Sequence, residues 1–262
     1  EEALSRPSPA TVEAFARLDG DLAVLGAGGK MGPTLALLLR RALDAAGGAA
    51  ARRTVFAVSR FSEAAARQKL ESAGVRTVAA DLLEPSAYAR LPAAAHVYFL
   101  AGMKFGASTH EDLTWAMNTH VPALVAQHYR DSRLVVFSTG NVYPFVPPAS
   151  GGADENTPPA PVGEYAMSCL GRERIAQHFS RRHGTAAVIV RLSYANEPRY
   201  GVIVDLTRTI LAGEPVDLGM GWVNLIWQGD ANDLIARSIT LAASPPCVLN
   251  VTGAEPLSVR EL

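Results

Sequence analysis

Residues 22–32, LAVLGAGGKMG, set a short apolar run against three glycines spaced G-x-x-G-x-x-G at Gly26, Gly29 and Gly32. The run has the length and composition of a buried strand, and residues 33–43 place Leu35, Leu38, Leu39 and Ala42 at helical spacing. The glycines therefore occupy a strand-to-helix turn, with Lys30 and Met31 inside it. Lacking a Cβ, glycine lets backbone approach a bulky anion, and the helix that follows offers unpaired N–H groups and the positive end of its dipole. That is the chemistry of a nucleotide pyrophosphate site. Tight strand–helix packing accounts for the same glycines equally simply, so the rest of the chain has to decide between the two.

Apolar runs at residues 54–58, 76–79, 96–101, 134–138, 187–192 and 248–251 alternate with helical patterns, and they read as continuous apolar stretches, as strands covered on both faces do. This is the β-α-β-α signature of an α/β chain built on a Rossmann-like, doubly wound parallel sheet. Ser8 followed by Pro9 predicts a capped helix running to about Leu18. Residues 45–51 read as an alanine-rich linker, and residues 144–161, with their prolines, as an irregular loop over one end of the sheet. Beyond Leu192 the pattern changes to a polar stretch at 194–201, a helix at 202–211 and a short strand at 223–227. The expected division is a dinucleotide-binding domain, 1–192 with a returning strand near 247–252, and a small C-terminal substrate-binding lobe, 193–246 and 253–262.

Composition removes other classes. The net charge is −1 and the basic residues are scattered in pairs such as Arg40-Arg41 and Arg181-Arg182, so no basic stripe points to nucleic acid. Cys169 and Cys247 lie far apart without metal-ligand spacing, and His110, His120, His128 and His178 show none either; no metal site is expected. The chain opens without an apolar leader, and no run reaches the roughly 18 apolar residues of a spanning helix. A cytoplasmic protein with no membrane partner is expected.

The second strand ends in Ser59-Arg60, where a dinucleotide fold that takes NAD usually offers an acid to the ribose hydroxyls. A serine hydroxyl and a guanidinium fork suit a 2′-phosphate instead. NADP is therefore expected, with NAD as the alternative and a merely solvated Arg60 as the competing reading. Asp81-Leu82 follows the third strand, where a carboxylate accepts from an adenine amino group or simply caps a helix.

Two further segments, Ser138-Thr139-Gly140-Asn141-Val142-Tyr143 after a strand and Glu164-Tyr165-Ala166-Met167-Ser168-Cys169 opening a helix, join the glycine turn in chain order. Together they resemble the extended short-chain dehydrogenase/reductase superfamily, the group of NAD(P)-dependent epimerases and dehydratases, over nearly the whole chain. The resemblance implies that Thr139 contacts substrate, that Tyr165 is the tyrosine of Y-x-x-x-K, and that Leu100, Ala101 and Gly102 lie against the cofactor ribose. Asn118, Arg191 and Asn250 fall on further family positions. It also implies a homodimer through helices 113–129 and 165–181, and more C-terminal structure than the chain contains.

The departure is at Cys169. In Y-x-x-x-K the lysine lies one turn after the tyrosine, where its ammonium holds the nicotinamide ribose and lowers the tyrosine pKa from about 10. A thiol supplies no charge. Lys104, just after the fourth strand, is the expected substitute, although an ordinary loop lysine is the alternative; Arg172, on the same helix face as Tyr165, is expected to lie too far along it to reach. Cys169 is read as a small packing residue, with a reactive thiol as the alternative. The substrate wall is expected to come from Thr139, Asn141, Tyr143 and the polar loop from Tyr194 to Tyr200, with Asn196 and Arg199 binding hydroxyl, carboxylate or phosphate groups; an ordinary loop role is the alternative for each.

Two readings follow. One is an NAD(P)-dependent oxidoreductase, epimerase or dehydratase acting on a polyhydroxylated small molecule such as a nucleotide sugar. The other is a catalytically inactive NADP-binding sensor or regulatory protein.

Overall fold

The computed structural model describes residues 1–104 and 106–262. Its strands are β1 (Leu22–Leu25), β2 (Val55–Ser59), β3 (Arg76–Ala79), β4 (His96–Phe99), β5 (Arg133–Thr139), β6 (Ala187–Leu192), the short β7 (Ala195–Asn196), β8 (Trp222–Asn224) and β9 (Ile226–Trp227), then β10 (Cys247–Val251) and β11 (Pro256–Ser258). Seven of them form one sheet in the order β10-β6-β5-β4-β1-β2-β3, with every neighbouring pair parallel. The helices are α1 (Pro9–Arg17), α2 (Gly32–Ala46), α3 (Gly48–Ala51), α4 (Ala64–Ser72), α5 (Glu111–Trp115), α6 (Val121–His128), α7 (Glu164–His183), α8 (Val202–Leu211) and α9 (Gln228–Ser238). The fold is the expected Rossmann-like α/β sandwich.

Strand alternation explains the two cores. In β1, Leu22 and Val24 face Phe15 of α1, Leu35 and Leu38 of α2 and Ile235 of α9, while Ala23 and Leu25 face Val121 and Val125 of α6 and Ala176 of α7. All four residues are buried, which is why the strand reads as an unbroken apolar run. Tyr98 of β4 is fully buried and donates its hydroxyl proton to the Ala236 carbonyl at 2.7 Å, pinning the sheet to α9.

Three local outcomes differ from the sequence reading. The supposed linker at 45–51 is helical, α2 running to Ala46 and α3 following after Gly47 at φ +69; alanine's helix propensity wins, and only the glycine interrupts it. The strand expected over 223–227 is split into β8 and β9, which join separate two-stranded sheets. Helix α9, within the segment assigned to the smaller lobe, packs on the central sheet through Ala231, Ile235 and Ala236.

Ser8 caps α1 as expected, accepting from the Thr11 N–H at 3.2 Å with Pro9 at the first helical position. Asp233 on α9 completes this junction. Its carboxylate accepts from the Ser8 N–H (2.8 Å), the Ser8 hydroxyl (2.9 Å) and the Thr11 hydroxyl (2.5 Å). Burial alone would raise its pKa, but the Ser8 N–H, the two hydroxyls and Arg237 outweigh it and hold the carboxyl below the usual aspartate value. A depressed folded-state pKa is stability present above the unfolded value of about 3.9 and lost as pH falls through the folded one. Asp233→Asn should therefore cost about 2 kcal/mol at pH 7, and the gap to the parent protein should narrow below about pH 4. Urea melts at the two pH values check both; a gap that widens in acid contradicts the assignment.

Candidate functional site

Strands β1 and β4 are neighbours, but the chain leaves β1 toward β2 and leaves β4 toward β5, on opposite sides. In a parallel sheet this opens a crevice at the strand C-termini. Gly26 sits at φ +92, and a Cβ there would lie 2.6 Å from the Ala101 nitrogen; on Gly32 it would lie 2.6 Å from the Ala27 Cα. Both glycines thus permit close approach of backbones. Gly28 was not among the residues singled out from sequence, yet a Cβ there would meet the Ser59 hydroxyl at 2.5 Å, at the crevice wall. Its signal was the G-x-G at Gly26 and Gly28. Helix α2 starts at the end of this turn with no side-chain cap from Met31.

The crevice is a chamber of about 310 Å³ whose walls bring together Gly26, Gly29, Ser59, Arg60, Asp81, Leu82, Leu100, Ala101 and Gly102. Phe61, another wall residue, has a φ of +48, a strained value for an aromatic residue. Arg60 is largely exposed, with Nη1 3.9 Å from the Asp81 carboxylate. Asp81 also accepts from the Leu83 N–H at 3.0 Å, closing its own turn.

A second chamber of about 450 Å³ shares Leu100 and Gly102 with the first and is walled by Lys30, Met31, Lys104, Thr139, Asn141 and Tyr165. Thr139 ends β5, and Tyr165 lies in the first turn of α7. Thr139 and Cys169 are the side chains that act on the Tyr165 phenol from either side of it. Burial first and Cys169 second push its phenol well above the ordinary tyrosine value, while Arg172 and Thr139 pull the other way. Burial likewise raises the Cys169 thiol, against Arg172 and Tyr165, which pull it down. Cys169 is 1% exposed and is the packed thiol, not the reactive one.

The Lys104 ammonium lies 5.8 Å from the Tyr165 ring centre and 5.7 Å from that of Tyr194. Desolvation there, and after it repulsion from Lys30, lowers its pKa. Arg172 corrects the sequence reading. Side chains on a helix run back toward its N-terminus, and Arg172 follows this rule into the chamber wall, where Nη1 donates to the Phe137 carbonyl at 2.8 Å and Nη2 to Asn118 Oδ1 at 2.5 Å. Tyr194 and Tyr200, the ends of the polar loop expected in the substrate wall, line this chamber; Asp205 and Arg208 line it too and were not foreseen, because an exposed helix carries no motif.

The four expected substrate residues do not gather in one place. Asn141 lines the second chamber and an adjoining one of about 280 Å³, where Tyr143 lies with Phe145, Tyr194 and Trp222. The Tyr143 hydroxyl donates to Asn250 Oδ1 at 2.8 Å and accepts from Arg191 at 2.9 Å. Asn196 is buried within its own loop, donating to the Tyr194 carbonyl at 2.5 Å. Arg199 turns toward Glu197 at 2.7 Å and Glu1 at 3.5 Å, beside an outer groove that it shares with Lys30. Short-range partners within a turn captured both side chains.

Beneath the second chamber runs a buried network. Glu173 is 0% exposed and accepts from the Ser138 hydroxyl (2.5 Å) and from Arg191 Nε (3.0 Å) and Nη2 (2.8 Å). Burial by itself would lower the Arg191 pKa, but Glu173 and Tyr143 hold the guanidinium firmly charged.

The sequence matches the model of the NAD dependent epimerase/dehydratase family over residues 22–250. The chain belongs to that family and has the architecture of extended short-chain dehydrogenases/reductases. No curated protein matches it significantly. Among solved structures it resembles MoeE5 in complex with UDP-glucuronic acid and NAD, at 25% identity over 92% of this chain and 79% of that one, with a TM-score of 0.70. It also resembles UDP-glucuronic acid 4-epimerase from Bacillus cereus in complex with NAD (18% identity, 92% and 81% coverage, TM-score 0.77). A third likeness is to DesIV, a dTDP-glucose 4,6-dehydratase from Streptomyces venezuelae with NAD bound (20% identity, 92% and 78%, TM-score 0.78).

Gly26→Ala should cost roughly 3 kcal/mol through strain and contact with Ala101, about 6–12 °C in Tm for a chain of this size. It should also abolish nicotinamide dinucleotide binding in calorimetry. A variant that melts and binds like the parent would show that the turn tolerates a Cβ.

Proposed function

We propose that the protein is an NAD(P)-dependent oxidoreductase of the epimerase or dehydratase kind, acting on a polyhydroxylated small molecule of the nucleotide-sugar class. The observation that carries this reading is the placement of Thr139 and Tyr165 together on the wall of a chamber that shares Leu100 and Gly102 with the glycine crevice. The crevice fits a dinucleotide: Gly26 and Gly28 occupy space that a Cβ would fill, and α2 begins there without a side-chain cap. Gly26, Gly28, Gly29, Lys30, Met31 and Gly32 would form the turn around the pyrophosphate, with Leu82, Ala101 and Gly102 beside the adenosine and ribose. The names of the structural relatives, which include nucleotide sugars and NAD, support the same classes.

A bound nicotinamide supplies the hydride acceptor and donor. Tyr165 moves the proton of the substrate hydroxyl, and Thr139 hydrogen-bonds the carbonyl oxygen as it develops. Burial keeps the Tyr165 phenol protonated at neutral pH, so the resting protein presents a proton donor to a carbonyl. Lys104 holds its ammonium 5.8 Å from the Tyr165 ring centre. Residues 193–227 and 253–262, with Tyr194 and Arg208, form the lobe that closes over substrate.

The test is turnover of UDP-glucuronic acid, UDP-glucose and dTDP-glucose, read as product by chromatography or NMR, because an epimerase or dehydratase returns its hydride and leaves the nicotinamide absorbance unchanged. Tyr165→Phe should lower the rate by about 10²-fold or more while cofactor affinity holds. Tight cofactor binding with no turnover of any nucleotide sugar favours the second reading, a dinucleotide sensor, which the loss of the lysine at Cys169 supports. Absence of any dinucleotide binding overturns both.

NADP is the proposed form, since Ser59 and Arg60 stand where an acid would meet the ribose hydroxyls of NAD. Arg60→Ala should weaken NADP at least tenfold more than NAD. Equal losses remove this preference. A homodimer through α5, α6 and α7 is proposed as well, supported by exposed Leu113 and Met167 on those helices.

A further inference from the structure

Arg172 is 5% exposed, and among the described residues no carboxylate lies within ion-pairing distance of it. The carboxylate next to it in sequence, Glu173, is committed to Arg191 and Ser138. A buried cation without a counter-ion is costly, and proteins keep one chiefly where a charge develops or binds. The surroundings hold this guanidinium in place rather than neutralise it. Nη1 is fixed by the Phe137 carbonyl, two residues before Thr139 on β5, and Nη2 by Asn118 Oδ1. Asn118 is itself locked by the Met103 N–H and carbonyl and by the Ser168 hydroxyl, each at 2.9 Å. Nε is buried with no partner. A Cβ on Gly102 would lie 2.1 Å from Nη2, so the loop after β4 presses bare backbone against the charge.

Resting on the catalytic reading of Tyr165 above, we propose that Arg172 is the positioning residue that replaces the missing lysine: its fixed guanidinium, three residues beyond Cys169, stabilises the Tyr165 phenolate across the space that the small thiol leaves. Cys169 makes the substitution workable, because a lysine at that point would bring a second cation against the first. The charged and titratable groups on the chamber wall are Lys30, Lys104, Asp205, Arg208, Tyr194 and Tyr200, and Cys169 and Thr139 act on the Tyr165 phenol as well. Of the cations, Arg172 alone is both buried and anchored by backbone and amide acceptors. A guanidinium stays charged at any working pH, whereas the Lys104 ammonium has a lowered pKa.

The experiment follows the ionisation of residue 165 directly, without cofactor or substrate. Tyr165 is replaced by difluorotyrosine, whose phenol is more acidic, and fluorine NMR is recorded against pH in the full chain. Arg172→Gln, which keeps donors and loses the charge, should raise the midpoint by about one pH unit or more, and Arg172→Lys should restore most of it. A midpoint that Arg172→Gln leaves within about 0.3 units, or that Arg172→Lys fails to restore, overturns the proposal. If Arg172→Gln does not fold, Asn118→Asp decides by setting a carboxylate against the retained guanidinium: a rise of similar size supports the role, and an unmoved midpoint refutes it. These readings need no turnover, so failure of the proposed enzymatic activity would leave the result intact.

Discussion

The buried pair of Glu173 and Arg191 fixes the geometry on which everything at the site rests. A carboxylate with no solvent exposure is tolerable only when it is paired and hydrogen-bonded, and here Ser138 of β5 and the bidentate fork of Arg191 on β6 supply donors to both of its oxygens. The pair therefore dictates how α7 lies across the sheet. Because Arg191 also reaches Tyr143, and Tyr143 reaches Asn250 on β10, three adjacent strands and the loop after β5 are tied to a single helix. Tyr165 stands two turns back along that helix, so its distance from Thr139 is set by a network that touches neither residue's reacting atoms.

The fold was legible because it is written in backbone terms. Apolar runs mark strands covered on two faces, Ser8-Pro9 marks a helix start, and Gly26 marks a turn that no side chain can enter. The candidate site was legible where a motif marks the end of a strand or the start of a helix: Gly29, Ser59 and Thr139 line the chambers from strand ends, and Tyr165 from the first turn of α7. Arg172 shows the other case. Its spacing from Tyr165 was visible, but its reach depends on the direction in which a long side chain runs back along the helix, which has no signature in one sequence. Asn196 and Arg199 show the reverse failure, since a polar loop residue is as readily satisfied by its own turn as by a ligand, and only coordinates tell which partner wins.

The two tyrosines near the candidate site sit in different surroundings. Tyr143 is held between a guanidinium and an amide and serves as a girder, whereas Tyr165 faces Thr139, Cys169 and an open chamber. The same phenol is structural when all its partners are permanent and chemical when one is replaceable.

Residues Ala116–His120 between α5 and α6 form a π turn, and Asn118 lies at its centre. A π turn is an α-helix carrying one surplus residue, and such turns are held at a cost. The surplus is what aims Asn118 at once toward Met103, Ser168 and Arg172. Removing one residue would let the helix relax to ordinary pitch and rotate everything on one side of the deletion by about 100°. The segment thus behaves as a one-residue key: its length, more than its composition, keeps the loop after β4 in register with α7.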